Sequence, residues 1–188
     1  SAKTICKRYK GNQAHAEYLE QMAGKFFDLL QKYHGLGERE RLLLRLAAIL
    51  HDCGKFISMS APGECAYQII MSTEILGISH MEREMVASIV RYNTMELPNF
   101  SEFDGKLGND EYLIVMKLAA ILRVCNALDR SHRQKFADMR LTIKDSNIVI
   151  TTAYPDNITL EKKTLQDKQD FFEEVYGLGF EIKQKKKK

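Results

Sequence analysis

Residues 42–55 read LLLRLAAILHDCGK, an apolar run that ends in a histidine beside an aspartate. The spacing of the apolar residues predicts an amphipathic helix, and Gly54 is a typical stop for it. At the end of such a helix, a buried imidazole and a buried carboxylate lose their hydration and need partners. His51 and Asp52 therefore predict a site at which further polar groups, a metal ion or a phosphate meet them.

The patterns on either side of this run predict a mainly α-helical protein that ends in a small α+β part. Ser79 and Glu82 have the spacing of a capping box, Asp110 is placed to cap the next long helix, and Gly177 ends the last helix. Helices are predicted over residues 12–33, 38–52, 62–76, 79–92, 110–128 and 161–176, and a loop over residues 93–109. Strands are predicted over residues 141–143, 148–150 and 178–182, the first two as a hairpin. The boundary between the two parts is placed near residue 138.

Side chains from three of these helices are candidates for one site. His15 lies one turn before Leu19 on an apolar stripe, so its ring faces the interior. On the fifth helix, Asn126 and Asp129 share the face of the leucines at 118 and 122. The candidate metal ligands are His15, His51, Asp52, Asn126 and Asp129. This donor set suits one divalent ion, Mg²⁺, Mn²⁺, Fe²⁺ or Zn²⁺, and an inherited but empty site is the alternative.

Lys55, one turn after the His-Asp pair, is placed to neutralise a bound phosphate, and Asp52 and Lys55 are the candidates for a catalytic role. Each residue also has a purely structural explanation. His15 can bond to a backbone carbonyl, His51 can interact with the helix dipole, and Asp52 can pair with Lys55. The sequence leaves both explanations open.

Basic residues concentrate at the end of the fifth helix, where arginine side chains suit phosphate oxygens. The candidate phosphate-binding residues are Lys55, Arg123, Arg130, His132 and Arg133, with Lys135 and Arg140 close by. The alternative is that Asp129, Asp138 and Asp145 neutralise these charges in surface ion pairs. Nucleic acid is not the expected partner, because no aromatic residues alternate with the basic ones.

Composition indicates a globular protein of a reducing compartment. Of the 188 residues, 45% are hydrophobic and 28% are charged, and no apolar run is long enough to span a bilayer. The four cysteines form no CxxC pair, which favours a cytoplasmic location. Five lysines, at positions 183 and 185–188, account for the net charge of +3 and are expected to form a solvated, disordered tail.

Five blocks of the sequence carry a resemblance. They are QAHAEYLEQMAGKFFD (13–28), GLGERERLLLRLAAILHDCGKFISMS (35–60), ILGISHMEREMVASIVRYN (75–93), LAAILRVCNALDRSHRQ (118–134) and LEKKTLQDKQDFFEEVYG (160–177). The pattern of His, His-Asp and Asp, with HDxGK, looks like the HD superfamily of metal-dependent phosphohydrolases. Together the blocks resemble the C-terminal half of the Ppx/GppA family, the exopolyphosphatases and guanosine pentaphosphate phosphohydrolases. The ALDRSHRQ and FFEEVYG segments are the most specific.

The resemblance implies an HD-like helical domain over residues 1–137 and a small α+β subdomain over residues 138–188. It also implies that phosphoanhydride chemistry belongs to an N-terminal pair of actin-like domains, whose glycine-rich phosphate loops this sequence lacks. Asn126 stands where HD enzymes carry the closing aspartate. Other family members often have histidines at places where this chain has Pro62, Gly63, Cys65 and Asn93. These departures favour one metal ion at most.

Three functions follow as alternatives. The first is a C-terminal HD-like domain that binds or positions polyphosphate or a guanosine phosphate for hydrolysis by the actin-like domains. The second is a stand-alone metal-dependent HD phosphohydrolase that acts on a nucleotide or a phosphomonoester. The third is a non-catalytic dimerisation module, in which two copies of the chain form a homodimer.

Overall fold

The computed structural model describes residues 1–103 and 106–185, and it confirms a mainly α-helical fold with a small α+β part. The helices are α1 (Ala2–Arg8), α2 (Gln13–Leu29), α3 (Gln31–His34), α4 (Glu38–Leu50), α5 (Pro62–Met71), α6 (His80–Arg91), α7 (Asn109–Leu128) and α8 (Thr159–Tyr176). The strands are β1 (Arg140–Lys144), β2 (Asn147–Thr152) and β3 (Gly179–Gln184). Short 3₁₀ turns cover Cys53–Phe56 and Phe100–Glu102.

Helix α2 packs against both α4 and α7. The bundle thereby brings the start of α2 close to the C-terminal ends of α4 and α7. The single helix predicted over residues 12–33 is divided at Leu30, whose φ of −90° and ψ of 6° interrupt regular helical geometry. Helix α1 was not predicted, and its buried residues Ile5 and Cys6 lie on the side that packs against α4. The division and the extra helix change the outer part of the bundle and leave the predicted inward stripe of α2 intact.

The predicted capping box of α6 is confirmed. Ser79 Oγ accepts from the Glu82 backbone N–H at 3.2 Å, and Glu82 Oε2 accepts from the Ser79 backbone N–H at 2.7 Å. The prediction that Asp110 caps α7 is wrong, because Gly108 occupies the N-cap and Asp110 lies inside the first turn. A carboxylate in the first turn still faces the positive end of the helix dipole.

The small sheet has the strand order β1, β2, β3. β1 and β2 form the predicted antiparallel hairpin, and its turn residues Asp145 and Ser146 have φ values of 49° and 58°. Two consecutive positive φ values match the turn geometry that fits the twist of a two-residue hairpin. β3 runs parallel to β2 after the α8 crossover, and α8 ends at Gly177 as predicted, with a φ of 66°.

The core of the protein is continuous across the predicted boundary near residue 138. One cluster of buried apolar residues contains members from the helical bundle and also Ile148, Ile150 and Phe172 from the α+β part. Helix α8 packs along α7, and Tyr176 Oη donates to the carbonyl of Lys117 at 2.9 Å. The bundle and the small sheet therefore share buried surface.

The structure describes only part of the predicted lysine tail and of the predicted loop. Lys183 lies in β3, and its Nζ is 3.4 Å from Glu181 Oε1. Lys185 donates its backbone N–H to the carbonyl of Thr152 at 2.9 Å, so the expectation of a disordered tail is wrong for Lys183 and Lys185. The tail lysines at positions 186–188, and Gly105 of the predicted loop, lie outside the described residues. Within residues 1–103 and 106–185, no helix combines the length and the hydropathy needed to cross a bilayer.

Candidate functional site

His15 and Asp129 form a buried pair between the start of α2 and the end of α7. His15 Nδ1 lies 2.6 Å from Asp129 Oδ2, and both side chains are 1% exposed. The other carboxylate oxygen accepts from the backbone N–H of Gln134 at 2.7 Å. Because a carboxylate only accepts, Nδ1 of a neutral His15 carries the proton and Nε2 is left as a bare acceptor.

His51 and Asp52 lie where α4 runs into the first 3₁₀ turn. His51 Nδ1 donates to the carbonyl of Ala48 at 2.7 Å, so the Nε2 atom of the neutral ring also carries only a lone pair. Burial lowers the pKa of His51 to about 4, which makes the ring neutral at neutral pH. Its Nε2 is 3.2 Å from Asp52 Oδ1 but forms no hydrogen bond with it.

Asp52 pairs with Lys55, as one of the structural explanations of the sequence predicts. The Lys55 Nζ atom lies 2.6 Å from Asp52 Oδ1, and its side chain is 36% exposed. Burial opposes ionisation of Asp52, but the ammonium of Lys55 bonded to it outweighs burial, so the pKa of Asp52 is lowered. Asp52 is therefore a carboxylate at neutral pH, and Lys55 reaches from it toward solvent.

The two buried imidazoles meet at this point. The ring centroids of His15 and His51 are 4.9 Å apart with an interplanar angle of 66°. In the described part of the chain, neither Nε2 atom has a hydrogen-bond partner, although both are buried. Buried polar atoms without partners are rare in folded proteins, and each one needs an explanation. Two bare nitrogens beside a carboxylate fit a divalent cation, because every one of these atoms offers a lone pair.

His132 also belongs to this cluster, although the sequence placed it only among the phosphate-binding candidates. Its ring is stacked on His15, with centroids 3.8 Å apart and an interplanar angle of 17°. One ligand atom from each of His15, Asp52 and His132 lies within 4.8 Å of the others. His132 has a φ of 55°, in the left-handed region. A spacing argument based on helices cannot place a residue in a turn of this kind, and only its closeness to Asp129 in the sequence pointed to the site.

The structure does not join Asn126 or Arg123 of α7 to the cluster. Asn126 is half-buried, and its side chain forms no hydrogen bond to any residue within 1–103 or 106–185. The Arg123 guanidinium donates through Nε to the carbonyl of Tyr92 at 2.7 Å and through Nη2 to the carbonyl of Met95. Burial lowers the pKa of Arg123. Arg123 thus ties α7 to the end of α6, and its donors are directed at the backbone.

The turn after α7 presents most of the predicted phosphate-binding residues. Arg130, His132 and Arg133 are exposed on it, and no ion pair involves either arginine in the part of the chain that the structure describes. Lys135, in contrast, is buried and donates to Glu161 Oε2 at 3.0 Å and to the carbonyl of Asn157 at 2.8 Å. The turn therefore offers two free arginine side chains directly beside the histidine cluster.

The geometry agrees with a comparison against known protein families. The family model described as Ppx/GppA phosphatase, domain III, matches residues 1–170. The match includes the helical bundle, the histidine cluster, the arginine-bearing turn, the β1–β2 hairpin and most of α8. Because this match covers most of the chain, the protein belongs to the Ppx/GppA phosphatase family, of which it forms domain III.

Proposed function

We propose that this chain is the part of an exopolyphosphatase or guanosine pentaphosphate phosphohydrolase that binds the phosphate chain and positions it for hydrolysis. The actin-like domains of the full-length protein would carry out the hydrolysis. The observation that supports the proposal is the pair of exposed arginines, Arg130 and Arg133, on the turn beside the histidine cluster. Arginine side chains present planar donors that match phosphate oxygens.

The alternative is that nearby carboxylates neutralise these arginines in surface ion pairs. The contacts give this alternative little support. Asp129 is buried and its two oxygens accept from His15 and Gln134. Asp138 accepts from Thr152 Oγ1 at 3.0 Å and from the Ala153 backbone N–H at 2.9 Å. Among the described residues, neither carboxylate pairs with an arginine of the turn, so both guanidinium groups are available to an anionic ligand.

Binding of polyphosphate of defined length, measured by isothermal titration calorimetry, tests the proposal. We expect the double variant Arg130→Ala/Arg133→Ala to bind at least about tenfold more weakly, because two charge-assisted contacts are lost. Binding should also become less sensitive to salt, since fewer counterions are released. The matched control is Lys25→Ala/Lys32→Ala, which removes the same charge from two exposed lysines of α2 and α3. Equal loss of affinity in both double variants would show that the effect comes from net charge alone, and it would contradict the proposal.

A second candidate function is a metal-dependent HD phosphohydrolase acting on a nucleotide or a phosphomonoester. It is favoured by the unpartnered Nε2 atoms of His15 and His51 beside the Asp52 carboxylate. A divalent ion bound there would supply a Lewis acid for a phosphoryl oxygen. The chain's own residues would hold the ion through His15, His51 and Asp52, and Lys55 would orient the phosphate. Phosphate release in the presence of added Mn²⁺ or Mg²⁺, compared with His51→Ala, tests this candidate, and release unchanged by the substitution contradicts it.

Two further expectations about the full-length protein stay proposals. We propose a cytoplasmic location, in keeping with four cysteines that are all free thiols. We also propose that the chain can form a homodimer. Fractionation of cells and light scattering after size-exclusion chromatography test the two expectations, respectively.

A further inference from the structure

The histidine cluster lacks the ligand that HD-type sequences supply from the last helix. Asn126 makes no contact with the cluster within the described residues, and both oxygens of Asp129 already accept hydrogen bonds. Asp129 therefore serves His15 rather than facing the space in front of the bare nitrogens. A donor set of His15, His51 and Asp52 remains, together with one neighbour whose side chain is free to turn.

That neighbour is His132, and several contacts fix the turn that carries it. Its backbone N–H donates to the carbonyl of Asp129 at 2.9 Å, and Gln134 N–H donates to the Asp129 side chain. The ring of His132 stacks on His15, and Asn12 Nδ2 lies 3.4 Å from its Nδ1. A contact of 3.4 Å is long for a hydrogen bond, so it orients the ring without preventing it from turning.

Asn12 links the two histidines from the other side. Its Oδ1 accepts from the backbone N–H of His15 at 3.1 Å and caps α2, while its amide nitrogen contacts His132. The same short stretch of chain thus fixes the start of α2 and the position of the exposed imidazole. The ring stack and the cap of α2 therefore hold His132 against the buried His15.

We propose that His132 completes a divalent metal site with His15 and Asp52, and that Asp129 is a positioning residue behind His15. The inference rests on the second candidate function only in requiring a metal ion, and it depends neither on turnover nor on phosphate-chain binding. Asp129 holds the proton on Nδ1 of His15 and so directs Nε2 at the ion. Carboxylate partners of metal-bound histidines commonly act in this way.

The assignment requires a movement of the His132 ring. Ligands of one zinc ion lie roughly 3.4 Å from one another, whereas the ligand atoms of His15, Asp52 and His132 are within 4.8 Å of one another. The ring of His132 is stacked almost parallel to that of His15, so it must turn for one of its nitrogens to face the ion, and its exposed position in a turn leaves room for that rotation. Two imidazoles and a carboxylate favour Zn²⁺, Co²⁺, Fe²⁺ or Mn²⁺ over Ca²⁺.

Titration of the chain with Co²⁺, followed by its visible absorption spectrum, tests the inference without any turnover assay. We expect His132→Ala to weaken Co²⁺ binding by more than about tenfold and to change the spectrum, because a nitrogen ligand is lost. Asp129→Asn should weaken binding by about 10- to 100-fold, since the carboxylate behind His15 is lost. His80→Ala is the matched control, because it removes another exposed imidazole on the surface, and Asn126→Ala should likewise leave binding unchanged.

The outcomes separate the possible explanations. Loss of binding in Asn126→Ala with none in His132→Ala would overturn the inference in favour of a ligand on α7. Absence of Co²⁺ binding to the folded wild-type chain, verified by circular dichroism, would overturn it as well. Co²⁺ binding that depends on His132, without any phosphate release, would support the inference and reject the second candidate function. Polyphosphate affinity, measured separately in the presence of chelator, reports on the first proposal alone.

Discussion

Asp129 accepts hydrogen bonds with both oxygens while it is completely buried, and His15 depends on one of them. Helical spacing was enough to predict that both side chains face the interior. It could not predict which atoms meet, because the rotamers and the turn after α7 decide whether Asp129 faces an ion or the ring of His15. For the same reason, His132 could be linked to phosphate by its charge but not to the cluster by its position.

Replacing Asp129 with alanine should lower the free energy of unfolding by about 2–5 kcal/mol. The loss is large because the substitution leaves the buried His15 Nδ1–H and the part-buried Gln134 N–H without their acceptor. Urea unfolding followed by circular dichroism, with chelator present, measures the change. Glu17→Gln, which breaks the exposed pair with Lys3, is the comparison and should have little effect. A small loss for Asp129→Ala would show that the buried pair is not formed.

His34 predicts a dependence of stability on pH. Its Nε2 donates to the carbonyl of Phe27 and its Nδ1 accepts from the Leu36 N–H, both at 2.9 Å, so only the neutral ring makes both bonds. Burial, with a smaller effect of Lys117, lowers the pKa of His34 below the value in the unfolded chain. Its contribution is therefore present above about pH 6.5 and is lost as the pH falls through the folded pKa. We expect His34→Gln to flatten the decline in unfolding free energy on acidification, and an unchanged decline would contradict this assignment.

At the scale of the elements, sequence patterns predicted the helices and the hairpin better than the exact ends. The capping box at Ser79 and the stop at Gly177 depend on local side-chain chemistry, which the sequence shows directly. No glycine or proline marks the interruption at Leu30 in the sequence. The side chain of His34 donates across this interruption to the carbonyl of Phe27, and helical spacing does not reveal such a contact. The parallel pairing of β3 with β2 depends on how α8 packs on the bundle, which short-range patterns do not contain.

The ion pair between Lys135 and Glu161 ties α8 to the turn that carries the arginines. Glu161 is completely buried, so Lys135→Met should leave an unpaired carboxylate and cost about 3–5 kcal/mol of unfolding free energy. The double variant Lys135→Met/Glu161→Leu should recover most of that loss, because both charges are gone. Chemical denaturation of the two variants measures the difference, with Lys163→Met of the exposed Lys163–Asp167 pair as control. A double variant as unstable as the single one would show that the lysine acts through other contacts.

For the molecule as a whole, the shared core predicts that the parts on either side of the boundary near residue 138 unfold together. Ile148 and Phe172 belong to the same buried cluster as the helical bundle, and α8 covers α7. We therefore expect one calorimetric transition whose van't Hoff and calorimetric enthalpies agree. A chain ending at residue 137 should lose cooperative unfolding, because the apolar face of α7 becomes exposed. Two separate transitions, or a stable shortened chain, would show instead that the two parts fold independently.

The most direct test of the central claim is to map polyphosphate binding residue by residue with two-dimensional NMR of the backbone amides. If this chain positions a phosphate chain through the turn after α7, the shifts on titration should be largest at residues 129–135 and at Lys55. The exposed lysines of α2 and α3 should change little. Shifts concentrated on Lys25 and Lys32, or spread evenly over every basic residue, would contradict a dedicated phosphate-binding surface beside the histidine cluster.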